Sequence, residues 1–121
     1  MMSDQHLIEL AKRYVALSNL RDLAQIQTMF AVDSTYHSAF FGEYIGRQAI
    51  HAMMCDFFER FRDAYWTVNE YHSIAENGVA FEFVMTGTNS VSGESVKRLG
   101  KEEIYFDTNG LISRIKVYPK I

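Results

Sequence analysis

A glutamate near the end of the chain, Glu102, carries the strongest chemical signal in this sequence. It shares the alternation of Ile104 and Phe106, which places all three side chains on the buried face of a strand. Burial disfavours the charged form of a carboxyl group and raises its pKa. Such a group donates a hydrogen bond when protonated and acts as a general base when ionised. Two alternatives give it no chemical role: an ion pair with Arg98 or Lys101, or a β-bulge that turns it to water.

A second polar group lies on the apolar stripe of the first helix. The stripe recurs at helical spacing and comprises Leu7, Leu10, Ala11, Tyr14, Leu17 and Ser18. The Tyr14 hydroxyl can donate a hydrogen bond to a ligand oxygen. In the alternative interpretation Tyr14 is a core residue whose hydroxyl meets a backbone carbonyl. The residues themselves leave both interpretations open.

The histidines and the single cysteine are the other groups capable of acid–base or nucleophilic chemistry. His37, His51 and His72 do not combine with a third ligand at zinc-like spacing, so each is interpreted as structural or solvated. Cys55 has no neighbour that favours a nucleophile, and one cysteine cannot form an internal disulfide. The sequence contains no glycine-rich phosphate loop and no nucleophile elbow. We therefore expect neither a metal nor a cofactor.

Three helical segments come before most of the strands. Ser3 and Asp22 have side chains suited to capping the first two helices, and Gly46 opens the third. The third helix repeats apolar residues at helical spacing: Ile50, Met53, Met54, Phe57 and Phe61. Such a stripe forms core, and it also lines an apolar pocket without any change of sequence.

The β-prone segments are 35–38, 43–45, 65–74, 79–88, 95–107 and 111–118. The pairs Asn77–Gly78 and Asn109–Gly110 indicate tight hairpin turns. Helices gathered at one end of an antiparallel meander are typical of the α+β class, and long hairpin-linked strands twist strongly. The sequence therefore predicts one domain over residues 1–121. It is cone-shaped, with three helices of the N-terminal half packed on a strongly bent antiparallel sheet that encloses a pocket.

Composition excludes several kinds of partner. The net charge is -3, so the chain has no basic excess with which to bind nucleic acid or anionic membranes. No window is long and apolar enough to span a bilayer, and the N-terminal segment has no secretory pattern. The hydrophobic fraction of 48% is compatible with a real core in a chain of 121 residues. A cytoplasmic protein without nucleic-acid or membrane partners is expected.

Three stretches resemble a known superfamily: RYVALSNLRDLAQIQTMFAVDSTYHS at 13–38, then IGRQAI, then NGLISRIKVY. They resemble the nuclear transport factor 2-like superfamily, and within it the ketosteroid isomerase-like and SnoaL-like polyketide cyclase branch. The resemblance spans essentially the whole chain and is specific for the fold. It does not specify the reaction, because this fold hosts isomerases, cyclases, dehydratases, epoxide hydrolases and non-catalytic modules.

The resemblance to ketosteroid isomerases implies roles for four positions. Tyr14 falls at the oxyanion-hole tyrosine, and Glu102 falls where the family has a protonated aspartate that shares the oxyanion hole. Met54 falls near a second tyrosine of that network and cannot replace it. Ser38 falls where the family has its aspartate base, and a serine hydroxyl has no useful basicity near neutral pH. The adjacent His37 points to the other face of the strand, so we do not expect steroid isomerase activity.

The sequence thus predicts a pocket for a small, mostly apolar, oxygen-bearing ligand. Its chemistry, if any, is a proton transfer such as isomerisation, cyclisation or dehydration, with Tyr14 and Glu102 as the catalytic residues. The predicted pocket residues are Tyr36, Ser38, Met54, Phe57, Phe81, Phe83 and Ile104.

The rival hypothesis is a non-catalytic ligand-binding or dimerisation module that kept the cone and lost the base. The resemblance also implies a homodimer through the outer sheet face, where Arg114, Lys116 and Tyr118 alternate with Ile115 and Val117.

Overall fold

The computed structural model describes residues 2–120, in which three helices and seven strands follow one another along the chain. The helices are α1 (Asp4–Asn19), α2 (Leu23–Thr28) and α3 (Arg47–Arg60). The strands are β1 (Phe30–Ser38), β2 (Gly42–Ile45), β3 (Tyr65–Thr67), β4 (Tyr71–Ile74), β5 (Gly78–Thr88), β6 (Ser95–Phe106) and β7 (Ile112–Pro119). None of the helices between residues 2 and 120 has the length and apolar character needed to cross a membrane.

Side chains cap the first two helices at the predicted residues. The Ser3 hydroxyl accepts a hydrogen bond from the His6 amide at 3.1 Å, and Asp22 accepts one from the Gln25 amide at 3.2 Å. Each bond satisfies an amide that has no partner within its own helix. Gly46 precedes α3 with a φ of 93°, in the left-handed region that favours glycine. These residues fix where each helix begins. They therefore also determine where the side chains of that helix lie along the strands of the sheet.

The seven strands form one open, curved, mixed sheet in the order β2-β1-β7-β6-β5-β3, and β4 also pairs with β5. The longest pairing joins β5 and β6 without interruption from Gly78–Tyr105 to Thr88–Ser95. The prediction of a wholly antiparallel sheet is wrong for one pair, because β1 runs parallel to β7. These strands lie near opposite ends of the chain with no hairpin between them, so no local turn signal indicates their direction.

Two predicted strands differ from the observed ones by more than one residue at a boundary. β1 begins at Phe30, five residues before the predicted start. The predicted strand over 65–74 is divided into β3 and β4. Thr67 pairs with Val84 and Tyr71 pairs with Phe81, so the broken strand has one more residue than its partner between these positions. An extra residue of this kind interrupts the ladder as a β-bulge does.

The core lies between the helices and the inner face of the sheet. The predicted alternation of β5 is confirmed, with Phe81, Phe83 and Met85 buried. In α3 the buried stripe is rotated slightly from the predicted one, since Phe58 is buried and Phe57 is half-buried. Other buried residues of the sheet include Ile104 and Phe106 of β6 with Ile112, Ile115 and Val117 of β7.

Candidate active site

Glu102 lies on the inner face of β6, as its alternation with Ile104 and Phe106 predicted. Its side chain is 5% exposed, and its Oε2 atom has no hydrogen-bond partner within residues 2–120. Burial raises the pKa of this carboxyl from the ordinary 4.5 to about 8. A buried polar atom without a hydrogen-bond partner is uncommon in a folded protein. It indicates a site that contacts another molecule.

Neither of the alternative interpretations of Glu102, the ion pair or the β-bulge, is found within residues 2–120. The β5–β6 ladder is continuous through the Phe81–Glu102 pair, so no bulge turns the carboxyl outward. The Arg98 guanidinium lies over phenylalanine rings, and no ion pair joins either Arg98 or Lys101 to Glu102 within residues 2–120. The carboxyl is therefore both buried and unpaired.

Two buried tyrosines approach the same space from different elements. Tyr14 comes from α1 and Tyr36 from β1. Burial raises the pKa of the Tyr14 hydroxyl well above 10, with further contributions from Tyr36 and Glu102. Burial likewise raises the pKa of Tyr36, with Glu102 and Tyr44 contributing. Both phenols therefore stay protonated at neutral pH and are available as hydrogen-bond donors.

The three groups line a cavity of about 50 Å³. Its lining among residues 2–120 is Tyr14, Val15, Ser18, Tyr36, Phe41, Met53, Met54, Phe57, Phe58, Trp66 and Glu102. The wall is mainly aromatic and thioether: the Phe57 ring centroid lies 5.4 Å from that of Phe41 and 5.7 Å from that of Trp66. An apolar wall with a few convergent polar groups is the usual form of a small-molecule site.

Five sequence-predicted site residues thus lie together, and four lie elsewhere. Tyr14, Tyr36, Met54, Phe57 and Glu102 all line the cavity. Those outside its lining are Ser38, Phe81, Phe83 and Ile104. Strand alternation correctly predicted which face of the sheet these residues occupy. It does not predict where along the strand a residue meets the helices.

The hydroxyl of Ser38 is used by the turn that joins β1 to β2. Its Oγ atom accepts hydrogen bonds from the Phe40 amide at 3.0 Å and the Phe41 amide at 3.2 Å. The side chain is buried but does not line the cavity. Ser38 therefore affects the cavity indirectly, since it fixes the segment that carries Phe41 into the wall.

Replacing Ser38 with alanine is expected to lower the free energy of unfolding by about 1–2 kcal/mol, because two partly buried amides lose their acceptor. Urea unfolding measures the change. A matched control is Ser92→Ala, which removes a similar hydroxyl–amide bond (3.2 Å, to the Glu94 amide) in an exposed loop where water can replace it. Equal effects of the two substitutions would contradict this role for Ser38.

Six lining residues were absent from the sequence-based set: Val15, Ser18, Phe41, Met53, Phe58 and Trp66. Trp66 is placed by Asn19 at the end of α1, whose side chain bonds the Trp66 amide at 2.8 Å and the Trp66 carbonyl at 3.0 Å. No sequence signal links two residues 47 positions apart. Ser18 and Met53 belong to the predicted apolar stripes, so helical spacing could have included them.

The histidines lie outside the cavity. His37 points away from Ser38, as predicted, and its Nδ1 atom lies 3.1 Å from a Glu43 carboxylate oxygen on an exposed surface. His51 lies 3.6 Å from the exposed thiol of Cys55. Within residues 2–120 no group of three His, Cys, Asp or Glu side chains is arranged to hold a metal ion.

The arrangement defines an α+β protein with a small, ring-walled pocket and a buried acid at its polar end. Residues 11–115 match the SnoaL-like domain family, and the chain therefore belongs to that family. The predicted relationship to the SnoaL-like branch of the nuclear transport factor 2-like superfamily is confirmed. No curated protein matches the chain.

Several solved structures share the fold. The epoxide hydrolase/cyclase-like enzyme SalBIII, which acts in pyran ring formation in the polyether salinomycin, superposes with a TM-score of 0.89 at 18% identity, covering 100% of this chain and 95% of that one. A putative isomerase from Bacillus subtilis gives 0.84 at 16% identity, with 98% and 90% covered. A hypothetical protein with a ketosteroid isomerase-like fold from Catenulispora acidiphila, solved in complex with trimethylamine, gives 0.82 at 17% identity, with 93% and 86% covered. At these identities the likeness establishes the fold.

Proposed function

We propose that the cavity binds a small, mostly apolar molecule through an oxygen atom, and that the protein moves a proton on that molecule. The reaction class is isomerisation, cyclisation or dehydration. The observation that carries the proposal is the buried Glu102 carboxyl at the end of a ring-walled cavity, one atom of which has no hydrogen-bond partner among the described residues 2–120. A ligand oxygen would supply the missing partner and relieve the cost of leaving that atom unsatisfied.

Glu102 and Tyr14 act together on the ligand oxygen. With a pKa of about 8, Glu102 is mostly protonated at neutral pH and donates a hydrogen bond, and Tyr14 donates a second from the opposite wall. In this protonated state the two donors hold and polarise the ligand oxygen in a site with little water. Tyr36 lines the same cavity and narrows it.

The proton acceptor is the part of the mechanism that differs from ketosteroid isomerases. Ser38 supplies no carboxylate, and its hydroxyl accepts two amide hydrogens of the turn. Within residues 2–120, Glu102 is the one carboxyl that lines the cavity. Proton abstraction is carried out by the ionised form of Glu102. The carboxylate takes the carbon-bound proton while Tyr14 alone donates to the ligand oxygen, and the resulting carboxylic acid returns the proton to another atom of the ligand. A pKa near the working pH suits such a base.

A non-catalytic binding module is the second candidate, favoured by the loss of the base at Ser38. The Catenulispora acidiphila neighbour was solved with trimethylamine, so a small amine is a reasonable probe for this alternative. An organic ammonium ion would pair with ionised Glu102 and lie against the faces of Phe57 and Trp66. We also propose a cytoplasmic homodimer through the outer sheet face, on which Lys116 and Tyr118 lie.

Binding of cyclohex-2-enone, a neutral ring with one carbonyl oxygen, tests the proposal. We expect Tyr14→Phe and Glu102→Leu each to weaken binding by about tenfold, since each removes a side chain that donates one hydrogen bond of about 1–1.5 kcal/mol. Calorimetric titration at pH 7 measures the affinity. Tyr105→Phe, at a half-buried tyrosine on the outer face that bonds Glu103, is the matched control and should leave it unchanged. Wild-type affinity in both cavity variants would overturn the proposal.

Exchange of the acidic carbon-bound hydrogens of the same enone into deuterated water separates an enzyme from a binding module. An enzyme catalyses this exchange and loses the catalysis in Glu102→Gln. A module binds the enone without accelerating exchange above the rate of the Glu102→Gln variant.

A further inference from the structure

Arg98 is a second polar group of the inner face of β6 that lacks a partner of opposite charge. Its guanidinium lies over three rings, with distances to the centroids of 5.3 Å for Phe40, 5.0 Å for Phe41 and 5.5 Å for Phe61. No carboxylate of residues 2–120 lies within ion-pair distance of it. Stacking holds the guanidinium plane but uses none of its five N–H donors. Those donors are therefore available to an anion.

A second arginine strengthens this positive character. Burial lowers the pKa of Arg98, and Arg60 at the end of α3 lowers it further. An anion bound by the Arg98 guanidinium would offset the repulsion that Arg60 exerts on it.

The rings beneath the Arg98 guanidinium are continuous with the cavity wall. Phe41 belongs to both, because its ring lies beneath the guanidinium and also lines the cavity. Phe57 also lines the cavity, and its ring centroid lies 5.4 Å from that of Phe41 and 5.2 Å from that of Phe61. One connected set of rings therefore leads from Arg98 to the space in front of Glu102.

The stretch of sheet between the two polar groups is apolar. Arg98 and Glu102 are four residues apart on one face, so their Cα atoms are separated by about 13 Å. Gly100 lies between them, and the Phe83 ring covers it so closely that a Cβ atom there would lie 2.4 Å from the Phe83 Cζ atom. The side chain that covers the sheet between the two groups is therefore an apolar ring.

We propose that Arg98 binds a carboxylate on the ligand whose neutral oxygen reaches Tyr14 and Glu102, so that the natural ligand is a small organic acid with a flat or apolar body. This inference rests on the proposed function of the cavity and adds the class of its ligand. Paired N–H donors of a guanidinium match the two oxygens of a carboxylate, and such charge-assisted bonds are stronger than neutral ones. The carboxylate end sets the orientation, and the rings hold the body of the molecule.

Two probes with the same ring and chain test the inference: 3-(4-hydroxyphenyl)propanoate and its methyl ester, in which a methyl group removes the charge, titrated by calorimetry at pH 7. Wild type is expected to bind the acid at least tenfold more tightly than the ester. Arg98→Met keeps an apolar side chain over the rings and should remove this preference while leaving ester affinity unchanged. Lys97→Met, at the exposed residue that precedes Arg98 on the other face, is the matched control and should keep the preference.

Equal affinity of wild type for acid and ester, or an unchanged preference in Arg98→Met, overturns the inference. Arg98→Lys keeps the charge and loses the planar fork, so it should retain part of the preference and serves if the methionine variant does not fold. Ester binding reports separately on the cavity. If wild type binds the acid and the ester with equal affinity, and Tyr14→Phe weakens binding of the ester, only the role of Arg98 fails. If wild type binds neither probe, the proposed function fails and the inference fails with it.

Discussion

Replacing Glu102 with glutamine is expected to make the protein more stable at pH 9 by about 4–5 kcal/mol, and to change its stability at pH 4 by no more than about 1 kcal/mol. In the unfolded chain this carboxyl ionises near 4.5, whereas in the folded protein its pKa is about 8. Between these values the unfolded state has lost a proton that the folded state still binds, so the stability of wild type falls as the pH rises. The interval corresponds to about 5 kcal/mol, at about 1.4 kcal/mol for each pH unit.

The sign of this dependence is the informative feature. The contribution of the protonated carboxyl is fully present below about pH 4.5, is lost progressively up to about pH 8, and stays lost above that value. A glutamine side chain does not titrate, so this component disappears from the variant. Other carboxyls act equally in both proteins and cancel in the difference.

Urea unfolding at a series of pH values from 4 to 9 measures both proteins. The matched control is Glu103→Gln, at the next residue of β6, which faces the outer side and accepts a hydrogen bond from the Tyr105 hydroxyl at 2.9 Å. The control should follow the pH dependence of wild type. Parallel curves for wild type and Glu102→Gln would show that the buried carboxyl does not carry the effect.

The affinity for a neutral carbonyl ligand is expected to fall about tenfold for each pH unit above 8, and thus about 100-fold by pH 10. Ionisation of Glu102 removes the hydrogen-bond donor and places a negative charge against the lone pairs of the ligand oxygen. Cyclohex-2-enone suits this test because it does not ionise in that range. Its affinity should be constant below about pH 7.

A permanent cation should show the opposite dependence if the cavity is an amine-binding module. Tetramethylammonium requires ionised Glu102, so its affinity would rise about tenfold for each pH unit up to about pH 8 and then level off. Calorimetric titrations of both probes on the same protein therefore distinguish the two candidate functions. Glu102→Gln is the control, because it should make either affinity independent of pH. A pH-dependent enone affinity in that variant would assign the effect to another group.

Much of the fold follows from local signals in the sequence. Ser3 and Asp22 cap helices because their side chains reach nearby amides, and the alternation around Phe81 and Phe83 identifies the inner face of β5. The parallel pairing of β1 with β7 could not be predicted in this way, because it depends on the closing of the whole sheet.

Only part of the candidate site could be predicted from the sequence, because the rest also depends on the whole fold. Alternation alone placed Glu102 on the buried face, but the unpaired state of its carboxyl depends on where every neighbouring donor lies. The role of Ser38 depends on a turn whose amides point back at its hydroxyl. Trp66 enters the cavity wall because Asn19 bonds its backbone across 47 positions of sequence. Such contacts arise from tertiary packing, which a pattern within one strand or helix does not encode.

The pKa of the Glu102 carboxyl tests the central claim most directly. Carbon NMR of protein labelled at the glutamate side-chain carboxyl gives its titration curve, and Glu102→Gln identifies the signal. We expect a midpoint of about 8 in the free protein and a higher midpoint with cyclohex-2-enone bound, since a ligand oxygen favours the protonated donor. A midpoint near the ordinary value of 4.5, unmoved by the ligand, would contradict the claim that this cavity holds a buried, unpaired acid ready to act on a bound molecule.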